Sequence, residues 1–170
     1  MKILETQRLT LRTINADDDL FYYELVNDPT WLEYIGDKGI RTVAEARSAI
    51  LEGPCLMQQR LGHSLYVMER KSDGAPLGLC GLIKRDSIPE VDIGYAIRPA
   101  YFGHGYTYEA AAAVVAYARD VLRMRRLMGL THPGNTVSIN LLAKLGLTFV
   151  EHKVLPPDGR PTNIYCMELL

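Results

Sequence analysis

Apolar residues in this chain change their spacing from segment to segment, and each change predicts an element. Leu9 and Leu11 alternate with Arg8, Thr10 and Arg12, so a strand is expected to end near Ile14. Asn15 or Asp17 can cap the next segment, where Leu20, Tyr23, Glu24 and Val26 predict a helix stopped by Asn27-Asp28-Pro29. Trp31, Leu32, Tyr34 and Ile35, bounded by Gly36 and Gly39, predict a short helical or irregular piece. Thr42 followed by Glu45 is a capping box that opens a helix over 42–56. Strands follow over 64–70 and 77–84, joined by the hairpin turn Lys71-Ser72-Asp73-Gly74, and a third starts at Val91.

The second half alternates helix and strand. An alanine-rich helix is expected from about Gly105 to Leu122, with Ala110, Ala113, Val114, Tyr117 and Val121 on one core-facing stripe. A strand at 126–131 precedes a helix at 135–145 that Gly146 stops. Strands at 148–154 and 163–169 flank a loop rich in Pro, Asp and Gly. No repeat or linker interrupts the pattern, which predicts one α/β domain over 1–170 with a mixed sheet.

The stretch Val91–Ala113 carries the first chemical signal. A strand leads through Arg98-Pro99-Ala100 into Gly103-His104-Gly105 and then into a helix. Such a turn presents free backbone N–H groups and the positive end of the helix dipole, which suits phosphate. Tyr108 stands where the dinucleotide fingerprint needs its third glycine, and no Gly-Lys-Ser/Thr triplet of a P-loop exists. The cradle is therefore of another kind.

Composition removes several function classes. A hydrophobic share of 48% suits one sizeable core. A net charge of -1 without any block of like charge excludes broad nucleic-acid binding; the short cluster Arg123, Arg125, Arg126 reads as a solvated helix end. Cys55, Cys80 and Cys166 have neither metal nor disulfide spacing, and Cys80 and Cys166 lie in apolar runs as buried thiols. His63, His104, His132 and His152 show no ligand spacing, so no metal is expected. The start MKILETQRLTLR lacks an apolar signal core and no run is long enough to span a bilayer, so a cytoplasmic protein away from membranes is expected.

Four pieces in this order resemble the GNAT superfamily of acyl-CoA-dependent N-acetyltransferases, in particular the branch of ribosomal-protein N-terminal acetyltransferases. They are Glu5-Thr6-Gln7-Arg8-Leu9-Thr10-Leu11-Arg12; Ile93-Gly94-Tyr95 with Gly103-His104-Gly105-Tyr106 and Glu109-Ala110; Asn135-Thr136-Val137-Ser138; and Lys144-Leu145-Gly146-Leu147. The resemblance implies a mixed, mostly antiparallel sheet of about six to seven strands flanked by helices and splayed at its central strand pair. It implies acetyl-CoA as cofactor, with the pantetheine arm on the backbone of Tyr95, Ala96 and Ile97. The pyrophosphate would lie on backbone N–H groups from Arg98 to Tyr106, including Gly103, His104 and Gly105. Relatives often carry Gln or Arg where this chain has Ala100, so one side-chain contact is missing and His104 is a candidate replacement.

Asn135 and Ser138 match the family's second cofactor motif. Asn135 is also a helix N-cap, and Ser138 is either a surface serine or the acid that protonates the departing thiolate. Amine acetylation needs a neutral amine, so a carboxylate is sought as base. Glu90 and Asp92, two apart at the start of the central strand, are expected to share a face. Trp31, Tyr34 and Ile35 are candidates for one wall of the acceptor site and Leu155–Tyr165 for the other; core packing is the competing role of the aromatics.

The resemblance thus implies acetyl transfer to a primary amine by direct attack in a ternary complex. The favoured acceptor is a peptide or protein N-terminus, followed by a small amine, and a homodimer is compatible with the family. The rival is a non-catalytic acyl-CoA sensor on the same fold, kept open by Ala100 and by the lack of one obvious base.

Overall fold

The computed structural model describes residues 1–170. Eight strands form one sheet in the order β1-β2-β3-β4-β5-β6-β8-β7. They are β1 Lys2–Glu5, β2 Leu9–Thr13, β3 Leu65–Arg70, β4 Pro76–Ile83, β5 Asp92–Ile97, β6 Arg126–Thr131, β7 Thr148–Leu155 and β8 Arg160–Glu168. Six α-helices accompany them: α1 Asp19–Val26, α2 Pro29–Tyr34, α3 Val43–Ile50, α4 Leu56–Leu61, α5 Tyr106–Asp120 and α6 Thr136–Leu145. All pairings are antiparallel except β5 with β6. The sheet exceeds the expected six to seven strands because of β1, four residues too few to show a period, which pairs with β2. No helix is long and apolar enough to cross a membrane.

Helices cover both faces of the sheet. On one face Leu9, Leu11, Tyr66, Met68, Cys80, Leu82 and Ile93 pack under α5 and α6. On the other, Val67 and Leu79 pack with Phe21, Tyr22, Leu25 and Val26 of α1, Trp31 of α2, and Ala46 and Ile50 of α3. Leu77 and Leu79 fall on opposite faces although they are two apart. The register explains this: Met68 faces Gly78 while Glu69 faces Pro76, so Leu77 is an extra residue in a bulge.

The caps match the sequence signals with two refinements. Asn15, rather than Asp17, accepts the N–H of Asp17 at 2.8 Å, and Asp18 returns the bond from Asn15 N at 2.9 Å. Thr42 Oγ1 accepts from Glu45 N at 3.0 Å, but the Glu45 carboxylate reaches back one residue further, to Arg41 N. The helix expected over 42–56 instead runs as α3, a π-helical turn at Leu51–Cys55 and α4. Pro54 lies inside the wide turn and has no N–H to donate, so the regular hydrogen-bond ladder is broken there. The buried line of α5 is Ala110, Ala111, Val114, Val115 and Ala118. Ala113 is only half-buried and Val121 lies past the helix end, exposed, because the chain leaves the sheet there. The loop expected from Leu155 to Thr162 shrinks to residues 156–159, since β7 and β8 extend their ladder to Leu155↔Arg160.

Candidate active site

The sheet opens between β5 and β6. Their parallel pairing comprises Asp92↔Met128 and Ile93↔Gly129, whereas β5 stays paired with β4 as far as Ile97↔Gly78. Arg98 donates its N–H to Leu77 O at 2.8 Å. Backbone direction alternates along a strand, so Ala96 also turns toward β4, and the N–H and C=O groups of Tyr95 and Ile97 face the gap. The Leu77 bulge lies beside this point. Gly78 is needed there, because a Cβ would lie 2.1 Å from Ala96 O.

Beyond the gap the chain makes a 3-10 turn, Pro99–Tyr101, and then the glycine turn. Gly103 has φ +79° and Gly105 φ +77°, left-handed conformations that glycine adopts without strain. Gly105 is the N-cap of α5 and carries no capping side chain. The helix's first bond runs from Glu109 N to Gly105 O, so the N–H groups of Tyr106, Thr107 and Tyr108 have no acceptor within the helix. Arg98 does not join them: its N–H is bound to Leu77 O and its guanidinium pairs with Glu24. Tyr101 N and Phe102 N are likewise bound, to Arg98 O and Pro99 O. The free donors are therefore Ala100 N and the run that begins at Gly103. Ala100 is exposed beside a 370 Å³ recess that Glu24, Asp28, Arg98 and Tyr101 help line.

A cation stands at this turn that sequence spacing did not find. Arg8, at the start of β2, places its guanidinium carbon 4.3 Å from the Tyr106 ring centroid. Its Nη2 lies 3.6 Å from where a Cβ on Gly105 would be. Glu109 on α5 holds it, accepting Arg8 Nε at 3.0 Å. His104 is exposed, with its ring 5.8 Å from that of Tyr106.

Across the gap, Asn135 caps α6 by accepting Ser138 N at 3.2 Å. Ser138 is buried, 7% exposed. Its Oγ lies 2.8 Å from Tyr95 Oη, and its carbonyl oxygen lies 3.3 Å from the same phenol. Burial raises the Tyr95 pKa, with the Ser138 bond opposing, so the phenol keeps its proton. Helix α6 sits close on β6 because Gly129 leaves room: a Cβ there would meet Leu142 Cδ2 at 2.7 Å.

The two candidate bases part company. β5 begins at Asp92, so Glu90 lies in the preceding bend, outside the strand alternation that was to align them. Glu90 is half-buried beside Arg126, Met128, Cys166 and Glu168. Asp92 is 2% exposed and accepts Arg85 Nε at 3.1 Å. Burial pushes its carboxyl up to about 6, with Arg85 pulling the other way. Cys80 is fully buried and its thiol is pushed up by burial, which makes it a poor nucleophile.

The early helices and the late hairpin do meet. Arg160, in β8, donates to the carbonyl oxygens of Leu32, at 3.3 Å, and Glu33. Trp31 is a core residue under α1 and α3, with Lys38 Nζ 5.8 Å from its ring centroid. Tyr34 is half-buried against His132, ring centroids 5.7 Å apart, where β6 ends. Ile35 is exposed. His132 had no sequence signal, since its partner lies on an element far away along the chain.

The family described as the acetyltransferase (GNAT) domain matches residues 8–148. An uncharacterized protein of Bacillus subtilis, YkkB, is 27% identical over 165 residues, covering 95% of this chain and 93% of its own. The uncharacterized N-acetyltransferase p20 of Bacillus licheniformis is 27% identical over 175 residues, covering 100% and 97%. Among solved structures, a GNAT-family acetyltransferase from Bacillus anthracis superposes with a TM-score of 0.79 at 21% identity, covering 99% and 98%. The ribosomal L7/L12 α-N-protein acetyltransferase RimL, in complex with coenzyme A, superposes with 0.82 at 20% identity, again covering 99% and 98%.

Proposed function

We infer the reaction from one premise: the chain belongs to the GNAT acetyltransferase family and is an acetyltransferase. The reaction proposed is direct transfer of acetyl from acetyl-CoA to a primary amine within a ternary complex. The supporting observation is the opening between β5 and β6, whose unpaired backbone runs from the buried Ser138 and Tyr95 hydroxyls toward the glycine turn. An extended pantetheine arm fits Tyr95 and Ile97 as an added strand. The pyrophosphate fits the free N–H groups at Gly103–Tyr106 and the start of α5.

In this reading the N–H groups facing the gap polarise the thioester carbonyl. Asp92 takes the amine proton through water. Its burial puts it near neutrality, where a base works best. Ser138 supports the departing sulfur. The proposed acceptor is a peptide N-terminus, entering between α2 and the β7–β8 turn. Support comes from the ribosomal-protein acetyltransferases among the structural neighbours.

The test is thiol release from acetyl-CoA over a panel of serine- and alanine-initiated peptides and small amines. Turnover of the peptides above the small amines supports the reading; preference for a small amine overturns the acceptor. Tight acetyl-CoA binding by calorimetry with no acceptor turned over would favour a sensor instead.

A further inference from the structure

We propose that Tyr95 is a positioning residue that aims the Ser138 hydroxyl at the departing thiolate. The inference rests on the reading of Ser138 given above. Tyr95 and Ser138 belong to elements 43 residues apart and meet across the strand gap, Oη to Oγ, at 2.8 Å. The phenol has two acceptors in reach, Ser138 Oγ and Ser138 O. Either hydroxyl can donate in this pair, and in the proposed arrangement the donor is the phenol, the far stronger acid. Ser138 Oγ then accepts a hydrogen bond from the phenol, and its own O–H stays free to donate. No other side-chain or backbone bond engages that hydroxyl, and Ser138 N is already taken by Asn135. With the phenol donating, the Ser138 O–H has no other acceptor in the fold and is left for the ligand.

The step balances without a proton leaving either hydroxyl. The amine nitrogen bonds to the carbonyl carbon, the carbon–sulfur bond breaks, and its electron pair goes to sulfur. The thiolate accepts the Ser138 hydrogen bond, and the proton that Asp92 takes from the amine is released to solvent, from which the thiolate is neutralised. Tyr95 touches neither reacting atom. It removes the alternative orientation in which Ser138 points its proton at the phenol.

The test is a double-mutant cycle of Tyr95→Phe and Ser138→Ala, read by thiol release from acetyl-CoA with a serine-initiated peptide and, in parallel, with water as acceptor. Tyr95→Phe keeps the ring and its packing, and thermal melting checks the fold. Losing one aligned hydrogen bond predicts a kcat roughly tenfold lower with a KM for acetyl-CoA nearly unchanged. In the Ser138→Ala background the same change should have no further effect, and Ser138→Thr should restore the dependence on Tyr95. An equal effect of Tyr95→Phe in both backgrounds, or a parallel loss of coenzyme affinity, would overturn the positioning role. A normal rate for Ser138→Ala would instead reject Ser138 as the group that supports sulfur.

Discussion

Arg8 and Glu109, 101 residues apart, are joined twice: Arg8 Nε donates to Oε1 at 3.0 Å and Arg8 N to Oε2 at 3.2 Å. Thr6 Oγ1 adds a third donor at 2.7 Å. One carboxylate thereby ties the start of β2 to the first turn of α5 and parks a guanidinium beside the glycine turn.

Glu109→Gln should cost about 1–3 kcal/mol, because the donors lose the negative charge and one of their two acceptor oxygens becomes an NH2 group. Burial raises the Glu109 pKa, but the bonds from Thr6 and Arg8 outweigh it and the pKa lies below its ordinary 4.5. A lowered pKa means this stability is complete above 4.5 and fades as pH falls through the folded value. Urea midpoints of wild type and variant should therefore differ at neutral pH and converge in acid.

Asp92 should impose an acid limb on kcat/KM. With its carboxyl near 6, the proposed base is charged above that pH and lost below it. The profile should bend close to pH 6, and Asp92→Asn should lower the rate by about 100-fold or more and remove the bend. A bend that survives in the variant would move the base elsewhere. For stability the sign is opposite to that of Glu109. A raised carboxyl favours the folded state while protonated, and that contribution is lost as pH rises through about 6.

Gly105→Asn separates the backbone demand from the ligand's. Asparagine tolerates the left-handed conformation, and the space where its Cβ falls has Arg8 Nη2 at an ordinary 3.6 Å. Melting temperature should change little. Coenzyme A affinity measured by calorimetry should fall by more than about tenfold, equivalent to about 1.4 kcal/mol, if the turn holds the pyrophosphate as proposed, since the side chain would keep it off the backbone.

Gly78→Ala should be costly for a different reason. Its Cβ would lie 2.1 Å from Ala96 O, which is backbone, so β5 itself must shift. A loss of about 1–3 kcal/mol by denaturant unfolding is expected, together with a higher KM for acetyl-CoA, because the shifted strand carries the unpaired Tyr95 and Ile97 groups.

The local features were legible in the chain. Asn135 and Gly146 bound α6 because capping depends on one residue's side chain or on its φ, here +98° at Gly146. The turn from Gly103 to Gly105 was legible for the same reason: left-handed backbone favours glycine, whatever surrounds it. Ile93 and Tyr95, alternate residues of β5, both pack in the cluster under α5.

What spacing cannot carry is which distant element comes to meet a side chain. Glu90 dropped out of register with Asp92 because β5 starts two residues later than Glu90. Arg98 was withdrawn from the glycine turn by Glu24 and Leu77, and Arg8 was delivered to it by Glu109. Tyr95 reached Ser138 only because the sheet opens after Ile93 and Gly129 lets α6 sit close on β6. The chain's periods and caps determined the elements and the turn, since these follow from backbone geometry within a few residues. Packing of α5 and α6 on the sheet decided which charges and hydroxyls share the site, since those contacts span 43 to 103 residues.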